Sequence, residues 1–285
     1  MDERNFRSSY YEKVGCRSVE EKKSVEILFK DKVLDKNKIS DFCLRFNMPI
    51  TYRALVWKFV LGVIPCHKNC HQFVWKERKL QYDNLVSSLL KMRIIDTQTP
   101  KPHLFLKMWL MENGILKFNH QNQMNEEPHL LAISSSLLKI FDTDVDVYWI
   151  SKWFFDYVRS FLSRVIVIAD KTRKFLKKED NVLYMHLMSM NVLFKVPFED
   201  WLSCCFAGII HDSSLVKIWD KLVGGSFQIL MFVCIVVMTT LRRVILKTKI
   251  YSEIMLCISE ISEETSELIA IKSIDMWHQN RRNPF

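Results

Sequence analysis

The chain is poor in turn-forming residues and lacks the pattern that builds sheets. Six glycines and seven prolines in 285 residues leave little material for tight hairpins, and apolar and polar residues nowhere alternate with the period of two that a half-buried strand requires. An all-α chain is therefore expected. No segment is low in complexity, no internal repeat is visible, and 49% of residues are hydrophobic, so extensive disorder is not expected. The opening M-D-E-R-N-F-R-S-S-Y has no apolar segment of the kind a secretory signal carries. The longest apolar run, Ile229 to Met238, is about half the ~20 residues a bilayer span needs, and Arg242 and Arg243 close it. It reads as a core helix with no transmembrane role.

Eight cysteines, at 16, 43, 66, 70, 204, 205, 234 and 257, lack the spacing of a disulfide framework, which points to a reducing, cytoplasmic setting. Cys66, His67, Cys70 and His71 form two i, i+4 pairs. Zinc needs up to four converging ligands, and no second half with ligand spacing follows, so neither a metal nor another cofactor is expected. The net charge of +9 is spread over several short runs: Lys22, Lys23, Lys30 and Lys32; Arg173, Lys174, Lys177 and Lys178; Arg242, Arg243, Lys247 and Lys249. Nucleic-acid binding would gather such residues on one element, so it is not expected. Solvated helix faces are the plainer reading, with a weak preference for acidic partners or anionic membrane surfaces.

What is present centres on Pro197 to Met238. Leu215, Ile218, Trp219, Leu222 and Val223 mark one apolar face of a short helix. Asp212, Ser213 and Ser214 offer N-terminal caps, and Gly224 and Gly225 offer left-handed backbone at its end. Trp201, Leu202, Cys205 and Phe206 repeat the spacing on a preceding helix. Earlier in the chain, Ser18-Val19-Glu20-Glu21 is a capping box opening a helix to about Asp31. A short helix follows near Ile39 to Phe46, and Pro49 breaks the chain before Tyr52 to Gly62. A long helix is expected from His71 to about Arg93, with Leu104 to Met111, Leu130 to Phe141, Asp144 to Phe161, Asp180 to Met190 and Ser262 to Trp277 after it. Asn119 to Glu127 reads as a loop, and Ser163 to Lys174 as an unusually apolar linker.

The order W, C-F-A-G, S-x-L-x-x-I-W-D, G and an apolar helix resembles the C-terminal half of a TBC domain, the helical module of Rab GTPase-activating proteins. Arg53-x-x-x-Trp57 followed by Leu61-Gly62 is similar to the opening motif of that family, and Asp146-Val147-Tyr148-Trp149 is similar to its acidic, aromatic segment. The resemblance implies an all-α chain with a single TBC-type domain over 49–250, an N-terminal helical segment over 1–48 packed on it, C-terminal helices over 251–280 and a tail over 281–285. Arg53, Trp57, Trp201, Phe206, Trp219 and Asp220 are then structural motif residues, with Arg53 packed on Trp57 and paired with a carboxylate.

Catalytic members of the family donate an arginine from I-x-x-D-x-x-R and a glutamine from Y-x-Q-G to a bound GTPase, and such an arginine is worth about 10³ to 10⁵ in rate. Here Ile94-Ile95-Asp96 is followed by Thr99 where the arginine would stand, and no Y-x-Q occurs. Val167-x-x-Asp170-x-x-Arg173 copies the first motif on the wrong side of the fold order, and Arg173 reads as part of a solvated basic face. Gln123-Met124-Asn125 is a faint echo of the second. No catalytic residue is expected. The segments 4–15, 19–24, 52–58, 205–208 and 274–278 are similar to the small, non-catalytic branch of the family that serves in the tuberous sclerosis complex. That branch binds the hamartin coiled coil, while tuberin supplies the activity toward Rheb that restrains the target-of-rapamycin kinase, in cytosol and at lysosomes. The alternative implied by the wider family is a GTPase-activating protein with a Rab-family partner. For a groove that could receive a partner helix, Val74, Tyr82 and Leu89 on the long helix are the expected lining.

Overall fold

The computed structural model describes residues 19–117 and 127–280, which hold no strand beyond one isolated bridge between Val33 and His67. Fifteen α-helices occur among the described residues. They are α1 (Val19–Leu28), α2 (Lys36–Arg45), α3 (Ile50–Val60), α4 (His71–Lys91), α5 (Lys101–Glu112), α6 (Pro128–Ile140), α7 (Asp144–Phe161), α8 (Val165–Glu179), α9 (Asn181–Ser189), α10 (Phe198–Ser203), α11 (Asp212–Val223), α12 (Gln228–Thr240), α13 (Arg242–Ile245), α14 (Tyr251–Ser259) and α15 (Glu263–Asn280). The expected capping box at Ser18, the echo at Gln123 and the tail from Arg281 lie outside the described residues. No described helix is long and apolar enough to cross a membrane.

The chain divides into two compact units, Met1–Phe155 with Asp220–Ser226, and Asp156–Trp219 with Phe227–Phe285. In the first, the Asp35 carboxylate accepts from the backbone N–H groups of Asn37 and Lys38 and starts α2. Pro49 sits just before α3, where its missing N–H costs nothing. The core of this unit is aromatic. Trp57, fully buried, meets Phe141 edge-on at 5.4 Å, and Trp109 meets Phe155 at 5.7 Å. Burying a ring of this size contributes about 2–3 kcal/mol.

In the second unit, α12 is buried along the whole of Ile229 to Met238 and packs against α15 and α8. Here two sequence expectations are corrected. The stretch read as a linker, 163–174, is mostly helix α8, whose Ala169, Phe175 and Leu176 are buried, with Phe175 edge-on to Phe232 at 5.6 Å. Its apolar character is the inner face of a helix. The helical spacing of Trp201, Leu202, Cys205 and Phe206 also fails, because α10 stops at Ser203. Cys205 and Phe206 then take left-handed backbone (φ +50° and +65°) and turn the chain.

Candidate functional site

Arg53 and Trp57, from one expected motif, meet on the carboxylate of Asp220, from another. Asp220, near the end of α11 and within the first unit, is completely buried. It accepts from Arg53 Nε at 3.1 Å, an Arg53 terminal nitrogen at 3.2 Å, Trp57 Nε1 at 2.8 Å and the backbone N–H of Met48 at 3.3 Å. Residues 53 and 57 are one turn apart on α3, so the helix repeat alone aims both donors at the same point. Arg53 also donates to the Met48 carbonyl at 2.7 Å.

The residue after this aspartate is a second anchor that the sequence did not disclose. Lys221 is 1% exposed, and its ammonium donates to the carbonyls of Cys43 at 2.8 Å and Phe46 at 2.5 Å. A buried ammonium is tolerated only when its protons are satisfied. The only sequence signal was a charged pair ending an apolar helix. Gly225 takes the left-handed backbone expected of it (φ +106°). Gly224 instead provides clearance: a Cβ there would stand 3.0 Å from the side chains of Cys43 and Leu44. Burial pushes the Cys43 thiol far above its usual range, helped by the Asp220 charge. Lys217, one turn before Asp220, pairs with Glu267 at 2.5 Å.

Trp219, in the second unit, plays a matching part there. Its indole N–H donates to the Cys205 carbonyl at 2.9 Å, holding the left-handed turn. Trp201 and Phe206 are buried in the same unit, their rings 6.0 Å apart.

The segment Asp96 to Thr99, read from the sequence as lacking an arginine, forms a turn. The Asp96 carboxylate accepts from the Thr99 hydroxyl at 2.9 Å and the Gln98 N–H at 2.9 Å, and the Asp96 N–H donates to Thr99 Oγ1 at 2.9 Å. The Thr99 hydroxyl, then the Gln98 N–H, hold this exposed carboxyl below its ordinary range. Arg173 corrects its sequence reading as a solvated residue. It is 7% exposed, bridges Asp170 at 2.9 Å and Glu199 at 2.8 Å, and lies over the rings of Phe194 and Phe198. Its place on the buried side of α8 explains the difference.

The expected groove lining is corrected too. Tyr82 and Leu89 are core residues, on the same face of α4 as Leu85, and Tyr82 meets Tyr148 at 5.8 Å and Phe105 at 6.5 Å. Burial, then the charges of Asp144 and Asp83, push the Tyr82 hydroxyl up to about 12. Val74 is half-buried. The outward face of α4 is different: Phe73 (66% exposed) and Leu80 (52%) lie on a stripe with Glu77, Gln81, Asn84 and Ser88. A groove of about 330 Å³ is lined by Glu77, Leu80, Gln81, Asn84, Leu85 and Ser88. Behind it, Glu112 receives Gln81 at 2.8 Å, Lys152 at 2.8 Å and the Tyr148 hydroxyl, which ties α4, α5 and α7 together. The pair Cys66 and Cys70 is exposed, and His71 Nε2 is 2.8 Å from the Pro65 carbonyl. Among the described residues no three His, Cys, Asp or Glu side chains converge as metal ligands.

Residues 130–246 match the model of the Rab-GTPase-TBC domain family. TBC1 domain family member 7 of Xenopus tropicalis is 39% identical over 280 residues, 98% of this chain and 96% of that protein. The human protein of the same name is 36% identical over 284 residues, 99% of this chain and 97% of its own. Among solved structures, the Ypt/Rab-GAP domain of Gyp1p superposes with a TM-score of 0.68 at 11% identity, covering 92% of this chain and 99% of that one. The Chlamydomonas flagellar RabGAP TBC domain gives 0.58 at 12%, covering 85% of each. These two likenesses establish the helical TBC fold, and the near full-length identity to the vertebrate proteins goes further. The chain belongs to the TBC-domain proteins, within the family of TBC1 domain family member 7.

Proposed function

We propose that this chain is a non-catalytic TBC-domain subunit that binds the hamartin coiled coil and stabilises the tuberous sclerosis complex. In that role it supports the complex's activity toward Rheb and the restraint of target-of-rapamycin signalling. Its setting is the cytoplasm, with recruitment to lysosomes or vesicles through the complex.

The observation that carries this reading is the Asp96–Thr99 turn. A GTPase-activating arginine must reach the transferred phosphate of a bound partner. Where the sequence reads as lacking that arginine, this chain has a threonine whose hydroxyl is bonded to Asp96. Arg173, the nearest motif copy, is committed to Asp170 and Glu199. The outward stripe of α4 is the face we assign to the partner helix, because Phe73 and Leu80, two turns apart and exposed, suit helix-in-groove docking.

The test pairs two measurements on the full chain. Single-turnover GTP hydrolysis is followed for Rheb and a panel of Rab proteins with the chain in excess, and a hamartin coiled-coil fragment is used for capture. Capture without acceleration is the expected result. Acceleration of any one GTPase would overturn the non-catalytic assignment and favour the Rab-directed alternative.

A further inference from the structure

One region of the second unit combines exposed apolar side chains with charge of a single sign. It is built from α9 with the segment after it, 181–195, and from α13 with the segment after it, 242–251. These two segments are joined at several points. His186 Nε2 lies 3.0 Å from the Ile245 carbonyl and 3.2 Å from that of Thr248. The Tyr251 hydroxyl donates to the Lys195 carbonyl at 3.1 Å, and Arg242 pairs with Asp180 at 2.6 Å.

Six apolar side chains stand out from this region: Val182 (59% exposed), Met185 (54%), Met188 (40%), Phe194 (64%), Val244 (46%) and Ile250 (55%). Such residues scattered singly need no explanation, but a cluster on adjoining segments does. The same two segments contain Lys195, Arg242, Arg243, Lys247 and Lys249 and not one aspartate or glutamate. Lys195, Arg243, Lys247 and Lys249 are exposed. Asp180, just before α9, is already engaged by Arg242, and the exposed Glu179 and Glu253 lie just outside the two segments.

We infer that this surface docks on anionic phospholipid bilayers. A protein partner would have to meet this surface with an acidic patch and close shape complementarity. A bilayer interface needs no such fit: it takes cations of one sign at the headgroups and lets apolar side chains enter the acyl boundary. Lysine and arginine suit that role because their stems lie along apolar surface while the charge stays in water. The six apolar side chains disfavour a nucleic-acid backbone as the anion, since phosphates would leave them without a partner. This inference is independent of the hamartin reading, because it concerns the chain alone.

Sedimentation of the full chain with vesicles tests it. Vesicles of phosphatidylcholine with phosphatidylserine are compared with phosphatidylcholine alone. Binding to the first and not the second is expected, with loss at a salt concentration that shortens the Debye length to about 3 Å. Arg243→Glu with Lys247→Glu removes two cations and should weaken binding by more than ~25-fold, taking roughly fivefold per cation near the surface. Met185→Ser with Phe194→Ser should weaken it as well, with unchanged charge. Lys36→Glu with Lys79→Glu applies the same change in net charge outside the region and should leave most binding intact. Melting temperatures of all variants confirm folding, since exposed substitutions of this kind change stability little. Absence of binding to anionic vesicles overturns the inference, as does equal loss in the Lys36/Lys79 variant. Retention on an immobilised acidic peptide without vesicle binding also overturns it, in favour of a protein surface. Vesicle binding that fails while hamartin capture persists rejects this inference and leaves the proposed function standing.

Discussion

Removing the Asp220 carboxylate should be among the costliest single changes in this chain. In Asp220→Ala, the Arg53 guanidinium loses its partner while its side chain remains 9% exposed. The Trp57 indole N–H and the Met48 N–H lose their acceptor in the same stroke. Breaking a buried ion pair from one side costs about 3–5 kcal/mol, and each stranded neutral donor about 1–3 kcal/mol more. These terms overlap because the donors share one oxygen pair, so about 4–6 kcal/mol is the expected net. That is a large share of the ~5–15 kcal/mol that holds a typical domain together. At roughly 2–4 °C per kcal/mol, the melting temperature should fall by more than 8 °C. Arg53→Met alone should cost a similar amount, because it leaves the carboxylate buried with fewer donors. The double variant Arg53→Met with Asp220→Leu should be less destabilised than the sum of the single changes by about 2–3 kcal/mol. Thermal melting followed by tryptophan fluorescence measures all of this. A loss under 1 kcal/mol for Asp220→Ala, or strict additivity in the cycle, would refute the argument that this carboxylate holds Met48, Arg53 and Trp57 together.

Further outcomes follow from other sites. Leu80→Glu, on the exposed face of α4, should reduce capture by the hamartin fragment more than tenfold while moving stability by less than about 0.5 kcal/mol; undiminished capture would remove α4 from the interface. Thr99→Val should raise the Asp96 pKa toward its ordinary range in a carboxyl-detected NMR titration. Because the folded-state pKa of Asp96 is depressed, its contribution to stability is present above the unfolded value and is lost as pH falls through the folded one. Thr99→Val should shrink that acid-side loss. Gly224→Ala presses a methyl group to 3.0 Å from Cys43 and Leu44 and should cost about 1–3 kcal/mol by thermal melting. Among the described cysteines, Cys66 and Cys70 should react fastest with a thiol reagent. Cys43, Cys204, Cys205 and Cys234 should wait for unfolding, since burial raises all four thiols and pushes Cys204 up to about 12.

The helices were readable because their apolar faces repeat at helical spacing, and α12 because ten apolar residues in a row leave no solvated side. Arg53, Trp57 and Asp220 stood out in the sequence through the family resemblance, though their convergence is a matter of tertiary distance that spacing does not contain. Lys221 shows the limit most plainly. Nothing local distinguishes a lysine that caps the carbonyls of Cys43 and Phe46 from one in water. Arg173 failed for the same reason, as did Tyr82 and Leu89, since a helix with apolar residues on several faces does not say which face is covered. Helix α8 was missed because exposed Ile166 and Val167 at its start blur the amphipathic pattern.

The turn at Cys205 and Phe206 has a consequence for how the second unit comes together. Two successive side-chain-bearing residues in left-handed backbone cost on the order of 1–3 kcal/mol each when nothing holds them. A peptide spanning 197–211 would therefore populate this turn less than the full chain does. The native turn is held by the Trp219 indole on the Cys205 carbonyl and by burial of the Phe206 ring. Backbone bonds within the segment, Phe206 N–H to the Trp201 carbonyl at 3.0 Å and Ala207 N–H to the Cys204 carbonyl at 2.9 Å, close the turn, and the Trp219 contact from α11 adds to them. A chain cut before residue 212 would keep the local bonds of C-F-A-G and lose the Trp219 contact.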